Sequence, residues 1–505
     1  MIGRSVQTTD ADMIKDRFLG FLIWQSFQST LVYFLSKTLI SPLLLSSSTT
    51  IIAAIFGFIF FHLSLLLFSA SLFLVTSPQS VPGVSPVELF VGLLKPLFVH
   101  GGPPLPSDFR RRVRVTLHRS LFLASSGVSG FVSVACLSGA LGLRALVIGL
   151  IYGALYVFKR RWVLDFPIIQ RPVFFSYKMG VRKAIARAVS ISSAGYLLSL
   201  VLPVFISERK LAFGDIVIEQ IVFYFASCVV FLCWELNRHL LQVFLTRRYL
   251  FAPPKGSAAA ETNPSDHLLA ALEETSERSI VHHLAYLDLC MVSESNVDMW
   301  RRAAFFEETG ETYKKVIAVC LKPLEQLTLD LSEGLGSSLE KSTSVSRLHE
   351  PFYDFQICAW SARIASSLTI RSHKEDRLGV AQLSGCNAAT VSTLLACLLA
   401  VETSMGKKTN LKPSNTRYPS ASIKWAPAGG GTVGIATSNK KDDPHYVKAY
   451  SLADILRTSI YQIVSNFHHE MATSDKDWIT NGKPLYGSRE LLVHKLGMFL
   501  EFQAN

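Results

Sequence analysis

The sequence predicts an α-helical, polytopic membrane protein: about six transmembrane helices followed by a mostly α-helical soluble domain. Three observations predict it. The long apolar runs fall almost entirely in residues 1–250. The charge divides at the same place: residues 1–250 carry 24 Lys/Arg against 10 Asp/Glu, and residues 251–505 carry 26 against 28. From Leu268 onward apolar residues recur at three- and four-residue steps, and no strand-like alternation recurs. A chain of 505 residues has room for two substantial domains.

Residues 1–17 read as a cytosolic N-terminus. Asp10, Asp12 and Asp16 dilute its basic residues and no small-residue cleavage site follows, so the first span is expected to act as an uncleaved anchor. A bilayer-crossing helix needs ~20 apolar residues, because every backbone polar group must be satisfied internally there. Phe18–Leu39, Ile51–Val75, Ala188–Ile206 and Ile216–Cys233 meet that need. Leu121–Phe158 is one apolar stretch broken by Arg144, too long for a single crossing. A hairpin turning at Gly139–Gly142 divides it into Leu121–Ala140 and Leu143–Phe158, with Arg144 snorkelling to the headgroups. Six spans therefore fill a transmembrane domain over residues 18–233.

The positive-inside rule tests the count independently. The loops after spans two and four hold fourteen Lys/Arg, against four in the opposite loops (Lys37, Arg144, Arg209 and Lys210). Both termini are expected in the cytosol. The net charge of +12 thus sits between apolar runs, where anionic lipid headgroups meet it, and direct nucleic-acid binding does not follow from it.

After span six, residues 234–250 read as a juxtamembrane amphipathic helix on the cytosolic surface; the alternative is a plain extension of the span. Its candidate membrane-interface residues are Trp234, Leu240, Leu241, Phe244, Arg247 and Arg248. Ser85–His100 is a second apolar patch, too short to span. Residues 251–266 read as a Pro/Ala/Gly/Ser linker, and residues 267–505 as a cytosolic helical domain interrupted by a flexible loop at 405–443. Val391–Val401 reads as a buried helix rather than a seventh span. Ser451 is the expected N-cap of an apolar-striped helix, and Glu490–Phe502 closes the chain.

Little in the sequence carries chemistry. Gly429–Gly434 lacks the Gly-Lys-Ser/Thr of a phosphate loop, and His282-His283 and His468-His469 point to different helix faces. The eight cysteines are scattered with no C-x-x-C pair, which suits reduced thiols and no zinc site. Within the spans the ionisable candidates are His62, Glu219 and Glu235. Both glutamates lie near an interface, and a lone His more often bonds a neighbouring helix, so the spans read as an anchor rather than a conduction path. No catalytic residue, metal or cofactor is expected.

Just after the linker comes Ile280-Val281-His282-His283-Leu284-Ala285-Tyr286-Leu287-Asp288-Leu289, followed by Arg301-Arg302 and Phe305-Phe306. This segment resembles the opening of the cytosolic domain of the nuclear-division-cycle-type transmembrane nucleoporins, which have a similar H-L-A-x-x-D-L run and a downstream Arg pair. The helix Leu452–Phe467 resembles that family's closing helix. The resemblance implies a structural, multi-pass membrane-ring component of the nuclear pore, in a pore membrane continuous with the endoplasmic reticulum. It implies tethering of scaffold nucleoporins, among them Aladin and the inner-ring linker nucleoporin, and help in pore assembly. His283, Leu284, Asp288, Arg301 and Arg302 are the candidate partner-docking residues; their spacing fits core packing equally well. Two readings of other classes compete. One is a multipass endoplasmic-reticulum transporter or lipid-modifying enzyme with a cytosolic regulatory domain; the other is a membrane-shaping protein that uses residues 234–250 as a wedge.

Overall fold

A computed structural model describes residues 10–40, 51–80, 107–138, 143–167, 170–201, 213–254, 264–273, 279–336, 352–409, 444–473, 475–480 and 484–504, with a few isolated positions between them. The chain forms two compact units, residues 1–248 with 278–281 and residues 249–277 with 282–505. Helix dominates both. Among the described residues a single parallel bridge, Ser77 to Val163, joins extended segments.

The first unit contains α1 (Asp10–Ile40), α2 (Ile51–Val75), α3 (Ser107–Ser138), α4 (Leu143–Phe158), α5 (Val173–Val201) and α6 (Phe213–Leu245). By length and apolar composition α1, α2, α3 and α6 can each cross a bilayer. The packing shows which solvent they suit. On α1, Leu19, Ile23, Phe27, Leu31 and Leu35 are 57–67% exposed, while Gln25, Ser29 and Ser36 are buried. Apolar residues outside and polar residues inside invert the pattern of a water-soluble helix, and lipid is the medium that makes that arrangement stable.

Three expectations change here. The basic residues 110–119 and 178–187 lie on N-terminal extensions of α3 and α5, because those helices start well before their apolar parts. Residues 234–245 do not leave the bundle as a separate surface helix; they are the last third of one continuous α6. Arg144 does not snorkel free: Nη2 donates to Gln220 Oε1 at 2.8 Å, and the guanidinium lies 4.5 Å over the Phe223 ring. The turn at 139–142, Pro203 and most of Ser85–His100 lie outside the described residues.

The second unit contains α7 (Asp266–Glu273), α8 (Ile280–Glu294), α9 (Met299–Ala303), α10 (Glu311–Gly336), α11 (Phe355–Glu375), α12 (Val380–Leu383), α13 (Cys386–Thr409), α14 (Pro444–Thr473) and α15 (Arg489–Ala504). Cys386–Gly406 is long and apolar enough to cross a membrane. It is instead the axis of this unit's core. Leu394 through Leu398, with Ala400 and Val401, are 0–1% exposed on every side, against α10, α11, α14 and α15. A helix apolar all round needs burial, and protein supplies it here.

Three boundaries move. α13 runs to Thr409, so 405–409 is helical rather than loop, while 410–443, including Gly429–Gly434, lie outside the described residues. α14 starts at Pro444, whose missing N–H costs nothing in a first turn. Ser451 is therefore not the N-cap; it sits inside the helix and donates to the Val447 carbonyl at 2.8 Å. Phe251, placed in the linker by composition, is buried.

Candidate functional site

The five docking candidates of the second unit converge, but inward. α8 carries the H-L-A-x-x-D-L run, and His283 through Leu289 are all 2% exposed or less. Asp288 points from α8 to Arg301 on α9: Nη2 donates to Oδ2 at 2.7 Å and Nη1 to Oδ1 at 3.3 Å. The same pair holds the backbone of Phe251. Its N–H donates to Asp288 Oδ2 at 3.1 Å, and its carbonyl accepts from Arg301 Nη2 at 3.0 Å.

Arg302 turns the other way. Nε and Nη2 form a fork on the Glu375 carboxylate at 2.7 and 2.6 Å, at the end of α11. Nη1 donates to the carbonyls of Val292 and Ser295 at 3.1 and 2.7 Å. Val292 lies in the last turn of α8 and Ser295 just past its end, where no intrahelical N–H reaches, so Arg302 caps the helix. Two adjacent arginines on a five-residue helix thus pin α8, α11 and the start of the unit together. With Asp288, Arg301 and Arg302 all at 0% exposure, they are a fold clamp and not a docking surface. The spacing of Asp288 and the Arg pair was visible in the sequence; that they face each other was not.

The six membrane-interface candidates of the first unit are also mostly internal. Trp234, Leu240 and Leu241 are buried, and Trp234 stacks on Phe68 with ring centroids 4.5 Å apart. Phe244 is half-buried over Gly20 of α1. Arg17 of α1 donates to the Phe244 and Leu245 carbonyls at 3.1 and 2.9 Å, a cation on the C-terminus of α6. Arg247 is exposed, and the Arg248 backbone N–H donates to Gln170 Oε1 at 3.1 Å. The wedge reading loses its apolar face, because neighbouring helices already cover it.

Beside Trp234, Glu235 is fully buried. Arg161 forks onto it at 2.7 and 2.5 Å, Tyr152 Oη donates to Oε1 at 3.1 Å, and Arg238 Nε lies 3.6 Å from Oε2. Higher in the bundle the polar groups pair helix to helix. His62 contacts Ser29 and Thr30 at 3.2 and 3.3 Å, Ser64 meets Ser133 at 2.6 Å, and Ser125 meets Ser71 at 2.6 Å. Where no hydrophobic effect drives helices together, such bonds and close backbone contact do. α4 supplies the contact: Gly149 and Gly153 face Ser126 and Gly127 of α3, closely enough that an added Cβ at Gly149 would strike the Ser126 carbonyl oxygen. The Ser/Gly richness of Ser125–Ser133 is one half of this contact in the sequence, and the glycines of α4 are the other.

No group of three or more His, Cys, Asp or Glu among the described residues could hold a metal ion. Four of the five cysteines of the second unit do not offer reactive thiols either. Burial pushes Cys290 and Cys397 up to about 12, and Cys320 and Cys358 upward too. At pH 8 a thiol of pKa about 12 is roughly one part in ten thousand thiolate, and the thiolate is the reactive form. These four are expected to stay unlabelled by maleimide in the folded chain from pH 6 to 8 and to label on denaturation; mass mapping of the labelled peptides checks it.

Comparison with known proteins adds one match. The family model described as "Nucleoporin protein Ndc1-Nup" matches residues 141–351. That stretch runs from α4 through the Asp288–Arg301–Arg302 clamp. No curated protein matches the chain.

Proposed function

We propose, proceeding from a match over residues 141–351 that identifies an Ndc1-type transmembrane nucleoporin, that this chain is a structural membrane anchor of the nuclear pore complex. The family match is the observation that carries the reading. In it the first unit holds the protein in the pore membrane, with both termini on the cytosolic side. The second unit tethers scaffold nucleoporins, Aladin and the inner-ring linker nucleoporin among them, and so aids pore assembly. The bundle's inverted surface and its helix-to-helix polar pairs support a rigid anchor rather than a catalyst or a passage. With the clamp residues turned inward, partner contact falls to the exposed faces of the second unit. Anionic headgroups meet the basic ends of α3 and α5.

The test is localisation of a tagged full chain in its own cells. Punctate nuclear-rim signal that coincides with a scaffold nucleoporin is expected, and co-purification should return scaffold nucleoporins. A uniform reticular signal without rim enrichment defeats the proposal.

A further inference from the structure

The apolar belt of the first unit differs from one flank to the other. On α2 all 25 residues lack Lys, Arg, Asp and Glu, so about 37 Å of helix at about 1.5 Å per residue suits hydrocarbon. On α1 exposed apolar side chains run from Leu19 to Leu39, about 30 Å. Lys37, near the end of that run, turns inward and donates to the Leu137 carbonyl at 3.3 Å.

α5 and α6 bring charges much closer together. Their antiparallel register is pinned at two places. His239 Nε2 lies 3.2 and 3.1 Å from the Ser176 and Tyr177 carbonyl oxygens, and Ser193 Oγ lies 3.0 Å from Tyr224 Oη. Arg187 precedes Ser193 by six residues, Glu219 precedes Tyr224 by five, and both are exposed. Eleven residue steps, about 16 Å, therefore separate an exposed cation from an exposed carboxylate. α4, which packs on α5, is short too: Arg144 stands at one end and exposed Lys159 and Arg160 at the other, about 22 Å away. Snorkelling extends each end by a few ångström and still leaves this flank short of ~30 Å of hydrocarbon. Tilting the bundle does not part Arg187 from Glu219.

Lys178, Arg182, Lys183 and Arg187 are exposed along α5, and among the described residues their side chains have no ion-pair or hydrogen-bond partner. Phe174, Phe175 and Met179 are exposed beside them. Hydrocarbon would strand the four charges, and water would leave the apolar groups uncovered. Cations interleaved with aromatic and apolar side chains suit a headgroup layer, and four unpaired cations suit anionic headgroups.

We propose that the first unit thins the bilayer on its α4–α5 flank, with anionic headgroups of the leaflet at the N-terminal end of α5 drawn down that helix as far as Arg187. The basic end of α3 needs no such dip. Ser71 and Ser125 meet at 2.6 Å, so Arg119, six residues before Ser125, falls level with Ser77, past the end of α2 at Val75. Thinning is thus confined to one flank. Mismatch costs sort membrane proteins by bilayer thickness, so the chain favours thin bilayer. This preference is independent of pore localisation, and rim imaging and lipid measurements can fail separately.

The experiment reconstitutes the purified full chain in phosphatidylcholine nanodiscs with myristoleoyl, oleoyl or erucoyl chains, each with and without phosphatidylserine. Electron cryomicroscopy reads the headgroup layers around the wild type, and melting curves read lipid preference. The bilayer is expected to be roughly 10 Å thinner beside α5 than beside α2, the ~14 Å difference between flanks less the reach of the side chains. The wild type should melt highest in the short chains, and phosphatidylserine should raise its melting further. Arg182→Leu/Lys183→Leu/Arg187→Leu lengthens the apolar face of α5; its best lipid should shift to oleoyl or longer and its response to phosphatidylserine should vanish. Arg187→Lys, which keeps the charge, should behave as wild type. Headgroup layers equally spaced around the wild type overturn the thinning, as does a two-chain particle with α5 buried or a triple variant with unchanged chain-length preference. A wild type indifferent to phosphatidylserine overturns the anionic headgroup.

Discussion

Arg301→Met is expected to destabilise the second unit by about 3–5 kcal/mol, because it leaves the Asp288 carboxylate buried with its partner gone. Asp288 sits at 0% exposure, so water cannot replace the lost charge. The Phe251 N–H would remain as a donor to that carboxylate, and one neutral hydrogen bond does not compensate a full charge. The Phe251 carbonyl loses its donor as well. Thermal unfolding of the purified full chain, followed with hydrogen exchange on α8, reads the effect. The double variant Asp288→Leu/Arg301→Met removes both charges and should recover most of the loss, since a buried ion pair and its apolar replacement often differ little. A single variant as stable as wild type, or a double variant no better than the single, is incompatible with the clamp.

That prediction marks where the sequence was readable. Apolar runs, charge and helical spacing are local quantities, and the order of helices followed from them. The docking residues failed because exposure is not local. Asp288, Arg301 and Arg302 look like charged surface by residue type, and only the fold turns them toward Phe251, Glu375 and the end of α8. Residues 234–250 failed for a related reason. An apolar stripe ending in Arg-Arg reads the same whether it meets lipid or protein, and α1 and α2 settle it as protein. The alternative of core packing for α8 was legible, because its apolar residues leave no polar face. The basic loops read as loops because charge interrupts hydropathy without interrupting helix, so α3 and α5 began earlier than their apolar parts suggested.

The weakest-looking span gives the second large effect. α4 has 16 residues and reaches only ~24 Å, short of ~30 Å of hydrocarbon. Its hold on the bundle must come from packing, and glycine is what permits that packing. Gly149→Ala is expected to cost about 2 kcal/mol, because the new Cβ meets the Ser126 carbonyl, a backbone atom that cannot rotate away without moving α3. Gly153→Ala should cost less. Its Cβ first meets the Ser126 hydroxyl, which donates to the Leu123 carbonyl at 2.8 Å and can turn aside at the expense of one hydrogen bond. Gly149→Leu should part the two helices and carry the Tyr152–Glu235–Arg161 contacts with them, since Tyr152 lies one turn along the same helix. Melting temperatures of the three variants in one detergent, ranked Gly153→Ala above Gly149→Ala above Gly149→Leu, are the expected result. Equal melting of both alanine variants would mean that the backbone approach is looser than Ser126 and Gly149 make it here, and that α4 is held by its ends instead.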